Sequence, residues 1–115
     1  MCAEPKHRDW KIRAQDILDC IAKIQSYTQG MTLEQFHEDS LRIDAVTRNL
    51  EIIGEAAGRI PLEVQEAYPD IAWLEMRGMR NIMAHDYFRV SISLLWYTIQ
   101  QDLPVLAEQI QHLLE

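Results

Sequence analysis

The sequence of 115 residues lacks the features that hold small proteins together covalently or through a metal. Its only cysteines, Cys2 and Cys20, are too few for a disulfide framework and have no zinc-ligand spacing. Three of the four histidines, His7, His37 and His112, are isolated and lack the carboxylate or thiol spacing of a metal site. We therefore expect one domain, residues 1–115, that folds on its hydrophobic core without metal or disulfides. The lack of a disulfide framework fits a reducing cytoplasm.

Long apolar runs and alternating patterns are also missing. No apolar run approaches the roughly 18 to 20 residues of a membrane span, and the N-terminal residues lack the apolar stretch of a secretory signal. No stretch alternates apolar and polar residues over a useful length, so no β-sheet is predicted. These absences favour an all-α, soluble, cytoplasmic protein without a membrane partner.

A net positive charge, the usual mark of proteins that hold nucleic acid by charge alone, is absent as well. The formal net charge is -7 and the isoelectric point is about 5.0. The negative charge is unevenly distributed along the chain, because residues 70–90 contain equal numbers of arginines and acidic residues. The balancing side chains are Arg77, Arg80 and Arg89 with Asp70, Glu75 and Asp86. Any nucleic-acid site must therefore be local, and this neutral segment repels phosphate least.

What the chain does contain is apolar residues at helical spacing. A first helix is predicted up to Gly30, where a left-handed residue can end it. A short helix follows a capping box at Thr32 and Gln35. The second long helix is expected to start at a Ser40 cap and to end at Gly58. Its apolar stripe consists of Leu41, Ala45, Val46, Leu50, Ile53 and Ala57.

The C-terminal half has the same pattern. Residues 61–68 are predicted as a short connecting piece, and Asp70 as the cap of a helix that ends near His85. Ser91 starts the last helix, which Pro104 should kink or split. Together the segments predict an antiparallel bundle of about four to five helices.

The apolar stripe of the last helix is wide, with Trp96 and Tyr97 adjacent. This is more apolar surface than a small bundle easily hides, and large exposed apolar patches usually mark interfaces. We therefore predict a homodimer.

Polar side chains crowd the end of the helix that precedes Ser91, where Arg80, Asn81, His85 and Tyr87 follow one another closely. Arginine offers a permanent cationic fork for phosphate oxygens, and histidine exchanges protons near neutral pH. RNA supplies its own nucleophile, the 2′-hydroxyl, so an arginine and a histidine suffice for cleavage without a metal.

A second interpretation of the same residues is structural. A histidine at a helix end often caps carbonyls, a mid-helix arginine is usually a surface ion pair, and a tyrosine beyond is usually core. On a regular helix His85 is rotated about 140 degrees around the helix axis from Arg80. The two side chains can therefore approach each other only if the helix ends near His85, or across a dimer cleft.

The second long helix carries further polar candidates. Arg48 and Asn49, with Glu51 and Glu55, either line a polar cleft or form a solvated face. Gly54 and Gly58 on the same helix are a pair of small residues that most simply lets two helices approach closely.

The spacing of Arg80, His85 and Tyr87 resembles the signature of HepT proteins in the HEPN superfamily. The surrounding residues match too: residues 44–56 upstream, 78–81 before it, and 102–104 after it. The resemblance extends from Trp10 to the C-terminus.

The resemblance implies an all-α homodimer with two motifs around one cleft and metal-independent endoribonuclease activity on RNA rather than DNA. Arg80 would hold the scissile phosphate, His85 would handle the proton and Asn81 would support them. Further RNA contacts are expected from Arg77, Arg89, Arg48 and Asn49.

It also implies a partner, the MntA minimal nucleotidyltransferase, an antitoxin that uses ATP to attach AMP to Tyr87 in a type VII-like toxin–antitoxin system. The chain itself would need no cofactor. A different class of function stays open: a non-catalytic helical module that docks a nucleotidyltransferase and presents a substrate to it. Growth arrest on expression, with and without the neighbouring gene, distinguishes the two.

Overall fold

The computed structural model describes residues 6–85 and 91–115, with side chains for residues 10–80 and 91–115. This part of the chain contains seven α-helices, a π-helical turn between the last two, and no strand, which confirms the predicted all-α helical bundle. The helices are α1 (Lys6–Thr28), α2 (Leu33–His37), α3 (Ser40–Ala57), α4 (Leu62–Ala67), α5 (Trp73–His85), α6 (Ile92–Tyr97) and α7 (Leu103–Leu114), with the π-helical turn at Thr98–Asp102.

The core lies around α3, which packs against α1 on one side and α5 on the other, while α7 packs against α1. The apolar stripes predicted for the first and last helices are buried as expected. The largest fully buried side chains include Ile17, Ile21 and Ile24 of α1, Leu50 and Ile53 of α3, and Leu103 and Ile110 of α7. A second contact joins the short helices, because Phe36 packs on Trp96 with ring centroids 5.2 Å apart.

The local signals at the start of the chain act as predicted. Gly30 ends α1 with φ 77°, a left-handed conformation that glycine adopts without strain. The capping box is present, since the Thr32 hydroxyl accepts from the Gln35 amide and the Gln35 side chain accepts from the Thr32 amide. Gly58 caps α3 at its C-terminus.

Two predictions about α3 are wrong. Its N-cap is Asp39 rather than Ser40, because the Asp39 carboxylate accepts from the Arg42 amide and also pairs with the Arg42 guanidinium. Leu41 does not belong to the buried stripe and is 77% exposed. Ile43 takes its place, since it lies three residues before Val46 and so shares the buried face.

Two predictions about the middle of the chain are also wrong. The connecting piece after Pro61 contains a helical turn, α4, whose Gln65 side chain donates to the Ile60 carbonyl. Asp70 lies in a turn three residues before α5 and does not cap it. This turn is fixed by Trp73, whose indole N–H donates to the Tyr68 carbonyl over 3.0 Å.

Pro104 splits the last helix, as expected. It has no N–H to continue the hydrogen-bond ladder. The wider π-helical turn at Thr98–Asp102 precedes it, and α7 starts with the proline in its first turn. Across the described residues, no helix combines the length and apolar character needed to cross a membrane.

Candidate functional site

The candidate site lies on α5. Two buried side chains of this helix hold it against the core. Trp73 and Met76 are 5% and 1% exposed and face the core. Arg77 and Arg80 lie on the exposed side of the same helix. Amphipathic spacing thus buries one face of α5 and presents two guanidinium groups on another.

The position of Arg80 is set by a close contact with α3. A Cβ added to Gly54 would lie 2.7 Å from the Arg80 backbone nitrogen and 2.8 Å from the Met76 carbonyl oxygen. Any side chain larger than glycine's hydrogen would therefore push the two helices apart at Arg80. The predicted role of Gly54 in close helix approach is confirmed. Gly58 has no such role, because its added Cβ would meet only atoms of its own helix.

The arginines of α5 differ from those on the other helices in having no carboxylate partner among the described residues. Four arginines on α1 or on and just after α3 pair with a carboxylate three or four residues away: Arg13, Arg42, Arg48 and Arg59. Within the described part of the chain, Arg77 and Arg80 form no ion pair. None of the residues three or four positions from either of them on the helix is acidic.

Arg77 and Arg80 are three residues apart, so they are neighbours on the helix surface. Two adjacent like charges without a counter-ion are mildly unfavourable, and a bound anion relieves this. The arrangement is suited to an anionic group such as a phosphate, which arginine binds with two parallel hydrogen bonds.

The two candidates on α3 have local partners. The Arg48 guanidinium lies 3.1 Å from a Glu51 carboxylate oxygen, and its side chain is 65% exposed. Asn49 is buried, and its side-chain amide donates to the Ala45 carbonyl over 2.8 Å. Glu55 pairs with Arg59 over 3.9 Å. This face of α3 has the ion pairs of a solvated helix surface.

The remaining predicted site residues can be placed only partly. Asn81 and His85 belong to α5, and His85 is the last described residue of this helix. Their side chains, and all of Tyr87 and Arg89, lie outside the described residues. At about 1.5 Å per residue, the Arg80 and His85 backbones are about 7.5 Å apart along the axis.

Metal ligands do not cluster in the part of the molecule with described side chains, where no group of three histidine, cysteine or acidic residues could hold an ion. Cys20 is buried in the core, and this burial raises the pKa of its thiol above the ordinary 9.0. Both the burial and the raised pKa favour the neutral thiol over the reactive thiolate.

Two features of the site were not part of the sequence prediction. The first is the lack of acidic neighbours around Arg77 and Arg80, which a count of residues three and four positions away would have found. The second is the contact of Gly54 with Arg80. No local signal separates Gly54 from Gly58, because the contact depends on how α3 packs against α5.

Comparison with known proteins identifies the family of the chain. The family described as Ribonuclease HepT-like matches residues 17–113 of the chain. A protein of Thermococcus cleftensis named "Probable ribonuclease HepT" is 37% identical over 107 residues, which cover 93% of this chain and 94% of that protein.

Another relative is longer. A Methanocaldococcus jannaschii protein named "Gamma-glutamylcyclotransferase and putative RNase" is 39% identical over 108 residues, covering 94% of this chain but 49% of that protein. The chain thus spans about half the length of this relative. None of the solved structures matches the chain.

Proposed function

The chain belongs to the Ribonuclease HepT-like family, and from this premise we propose that it is the toxin of a type VII-like toxin–antitoxin pair. In this proposal it is an endoribonuclease that cuts RNA with Arg80 and His85. It works without a metal or cofactor of its own.

One observation carries the proposal: the exposed Arg80 guanidinium has no carboxylate partner among the described residues and lies on the same helix as His85. An arginine whose charge is already neutralised would bind phosphate poorly. Arg77, one turn earlier and also without an ion pair to any described side chain, adds a second positive charge for the RNA backbone.

The chemistry follows from RNA itself. The 2′-hydroxyl oxygen attacks the adjacent phosphorus, and the bond from phosphorus to the 5′-oxygen breaks. A proton leaves the 2′-hydroxyl and one is delivered to the departing 5′-oxygen. The products are a 2′,3′-cyclic phosphate and a 5′-hydroxyl end.

In this reaction His85 exchanges the proton, and Arg80 stabilises the negative charge that builds up on the phosphate oxygens. General acid–base catalysis contributes about 10² to 10⁴ in rate, and charge stabilisation about 10² to 10³ per donor. Asn81 is proposed to support the pair, and Arg48, Asn49 and Arg89 remain candidate RNA contacts.

Regulation is proposed to act through Tyr87. A nucleotidyltransferase partner of the MntA type would bind ATP, and the Tyr87 phenolic oxygen would attack the α-phosphorus. The bond to the β-phosphate oxygen breaks, pyrophosphate leaves and the phenolic proton is released. The AMP added to Tyr87 would bring a bulky anion to the arginines and exclude RNA by charge and volume.

A homodimer forms part of the proposal. Leu94 and Tyr97 of α6 are 60% and 57% exposed, and Val105 of α7 is 54% exposed, which supports an apolar interface along the last helices. A dimer cleft would also let His85 of one copy approach Arg80 of the other. Sedimentation showing only monomer at micromolar concentration contradicts this.

The decisive experiment measures RNA cleavage by the purified protein and its His85→Ala variant in EDTA. Cleavage by the wild type that leaves a cyclic phosphate, and its loss in a folded His85→Ala variant, are the expected results. Loss of wild-type activity in chelator would overturn the metal-independent mechanism. A folded His85→Ala protein that cuts at the wild-type rate would remove His85 from the reaction.

A second experiment tests the partner. The intact mass of the protein is measured after expression with and without the neighbouring gene product and ATP, beside a Tyr87→Phe variant. We expect an AMP-sized increase on the wild type only, together with loss of toxicity. A protein that gains AMP yet never cleaves RNA or arrests growth would instead be the non-catalytic docking module.

A further inference from the structure

Gly54 on α3 is the point where two helices of the bundle meet most tightly. An added Cβ would lie 2.7 Å from the Arg80 nitrogen, 2.8 Å from the Met76 oxygen and 3.0 Å from the Arg80 Cβ. The first two are backbone atoms of α5. Unlike the end of a flexible side chain, they cannot move aside without moving the helix.

The other described glycines show that this contact is specific. A Cβ at Gly58 would approach only its own helix, at 3.5 and 3.7 Å, and Cβ atoms at Gly30 and Gly78 would meet nothing within 4 Å. Gly78 lies on α5 itself, between Arg77 and Arg80. An added Cβ would therefore press on the α5 backbone at Gly54 alone, whereas at Gly58 and Gly78 it would not.

An added Cβ at Gly54 would shift α5 by only a small distance, but this distance is enough to affect the rate of cleavage. Ordinary contact begins at 3.4 Å, so a Cβ at 2.7 Å from the Arg80 nitrogen requires the difference, about 0.7 Å, of movement. A misplacement of about 1 Å in a reacting group typically lowers the rate by about 10². The buried face of α5, at Trp73 and Met76, leaves little room to absorb the shift elsewhere.

We propose that Gly54 is a positioning residue for RNA cleavage: by admitting the α5 backbone against α3, it sets where the Arg80 guanidinium stands. This inference rests on the proposed function. Gly54 touches no substrate and acts through Arg80, which distinguishes it from the catalytic pair.

The experiment compares Gly54→Ala with Gly58→Ala and Gly78→Ala. Each adds one methyl group to a helix or its cap, and only the first presses on Arg80. We expect Gly54→Ala to lower kcat about tenfold to a hundredfold while KM changes by less than about threefold. The two controls should stay within about twofold of the wild type. The Arg80 amide resonance should shift in Gly54→Ala alone.

A loss of stability is separated from positioning in two ways. Ile53→Val, next to Gly54 and fully buried, loosens α3 without adding bulk toward α5 and should leave kcat unchanged. In an Arg80→Ala background, Gly54→Ala should cost no further residual cleavage, because the group it displaces is gone.

Several results would overturn the inference. These are wild-type kcat in Gly54→Ala, an equal loss in Ile53→Val, and a full further loss in the Arg80→Ala background. A Gly54→Ala chain that stays unfolded even in a stabilising osmolyte would make Gly54 a requirement of the fold instead. If the wild type itself cleaves no RNA, the proposed function fails first, and the Arg80 resonance still reports whether Gly54 positions α5.

Discussion

The arginines of α1 and α3 differ from those of α5. Those of α1 and α3 whose side chains the structure describes pair with carboxylates one helical turn away, as Arg48 does with Glu51 over 3.1 Å. Arg77 and Arg80 have no such neighbour and remain exposed and unpaired among the described residues. The chain carries a net charge of -7, and every other arginine with a described side chain has a carboxylate partner. An acidic protein can still bind phosphate where local spacing keeps acids away.

A paired arginine can have a structural role. Arg42 is the best case, because its guanidinium contacts the Asp39 carboxylate over 2.8 Å and its Nε donates to the Tyr27 carbonyl over 2.7 Å. It thus ties the end of α1 to the start of α3. The comparison predicts that substituting Arg77 or Arg80 affects RNA binding or cleavage, whereas substituting Arg42 affects stability and substituting Arg59 has little effect.

The largest expected effect is at Arg80. Arg80→Ala should lower RNA cleavage by about 10² to 10³, because a preorganised charge at the reacting phosphate is lost. Arg59→Ala, which removes an exposed, paired arginine, should change the rate by less than about twofold. The test measures the cleavage rates of both variants after circular dichroism has shown that they are folded. Equal losses in both variants would erase the distinction between the two regions.

Arg77 should contribute binding rather than chemistry. Arg77→Ala is expected to weaken RNA affinity about threefold to tenfold with kcat nearly unchanged. It should also reduce the slope of log affinity against log salt by about 0.7, as for one lost contact to single-stranded RNA. Titrations at several salt concentrations measure both. An unchanged slope would show that Arg77 does not contact phosphate.

A substitution can also give Arg77 the carboxylate partner that the arginines of α1 and α3 have. Leu74 is 70% exposed and lies three residues before Arg77, so Leu74→Glu provides the missing carboxylate. We expect a stability gain of about 0.2 to 0.5 kcal/mol and a twofold to threefold loss of RNA affinity. Leu74→Gln is the control of equal shape without charge. If both variants bind RNA alike, pairing is not what distinguishes Arg77.

The smallest effect concerns pH and the paired region. The Arg42 amide and then its side chain donate to Asp39 and hold the pKa of this carboxyl below its ordinary 3.8. The ionised form therefore stabilises the folded state above about pH 4, and this stabilisation is lost as pH falls through the lowered pKa.

Asp39→Asn keeps a capping side chain without the charge. The difference in melting temperature between wild type and Asp39→Asn should shrink as pH falls from about 5 toward 2.5, with RNA cleavage at neutral pH unaffected. A difference that does not depend on pH would show that the ionised carboxylate adds nothing to the cap.

Most of the fold could be predicted because its signals are local. The capping box at Thr32, the left-handed Gly30 and the break at Pro104 each depend on residues within one turn. The helix start that was predicted wrongly depends on a competition between two neighbouring capping residues. Ser40 and Asp39 are both good caps, and Asp39 prevails because it also pairs with Arg42.

The candidate site could be predicted in part. Sequence reasoning selected Arg80 and Arg77, and the structure places both on the exposed face of α5. It also selected Asn49, whose amide is buried and bound to the Ala45 carbonyl. A polar residue on a helix is not assigned to solvent or core by its type alone, since burial depends on the packing of other helices.

By itself the sequence determined that Arg77 and Arg80 would have no partner on their own helix, because neighbours on a helix surface are set by spacing of three and four residues. Only the tertiary structure decided that Gly54, and not Gly58, contacts Arg80. That contact joins residues 26 positions apart in sequence. It exists because the buried faces of α3 and α5 bring their backbones together at this point, and no local pattern encodes that.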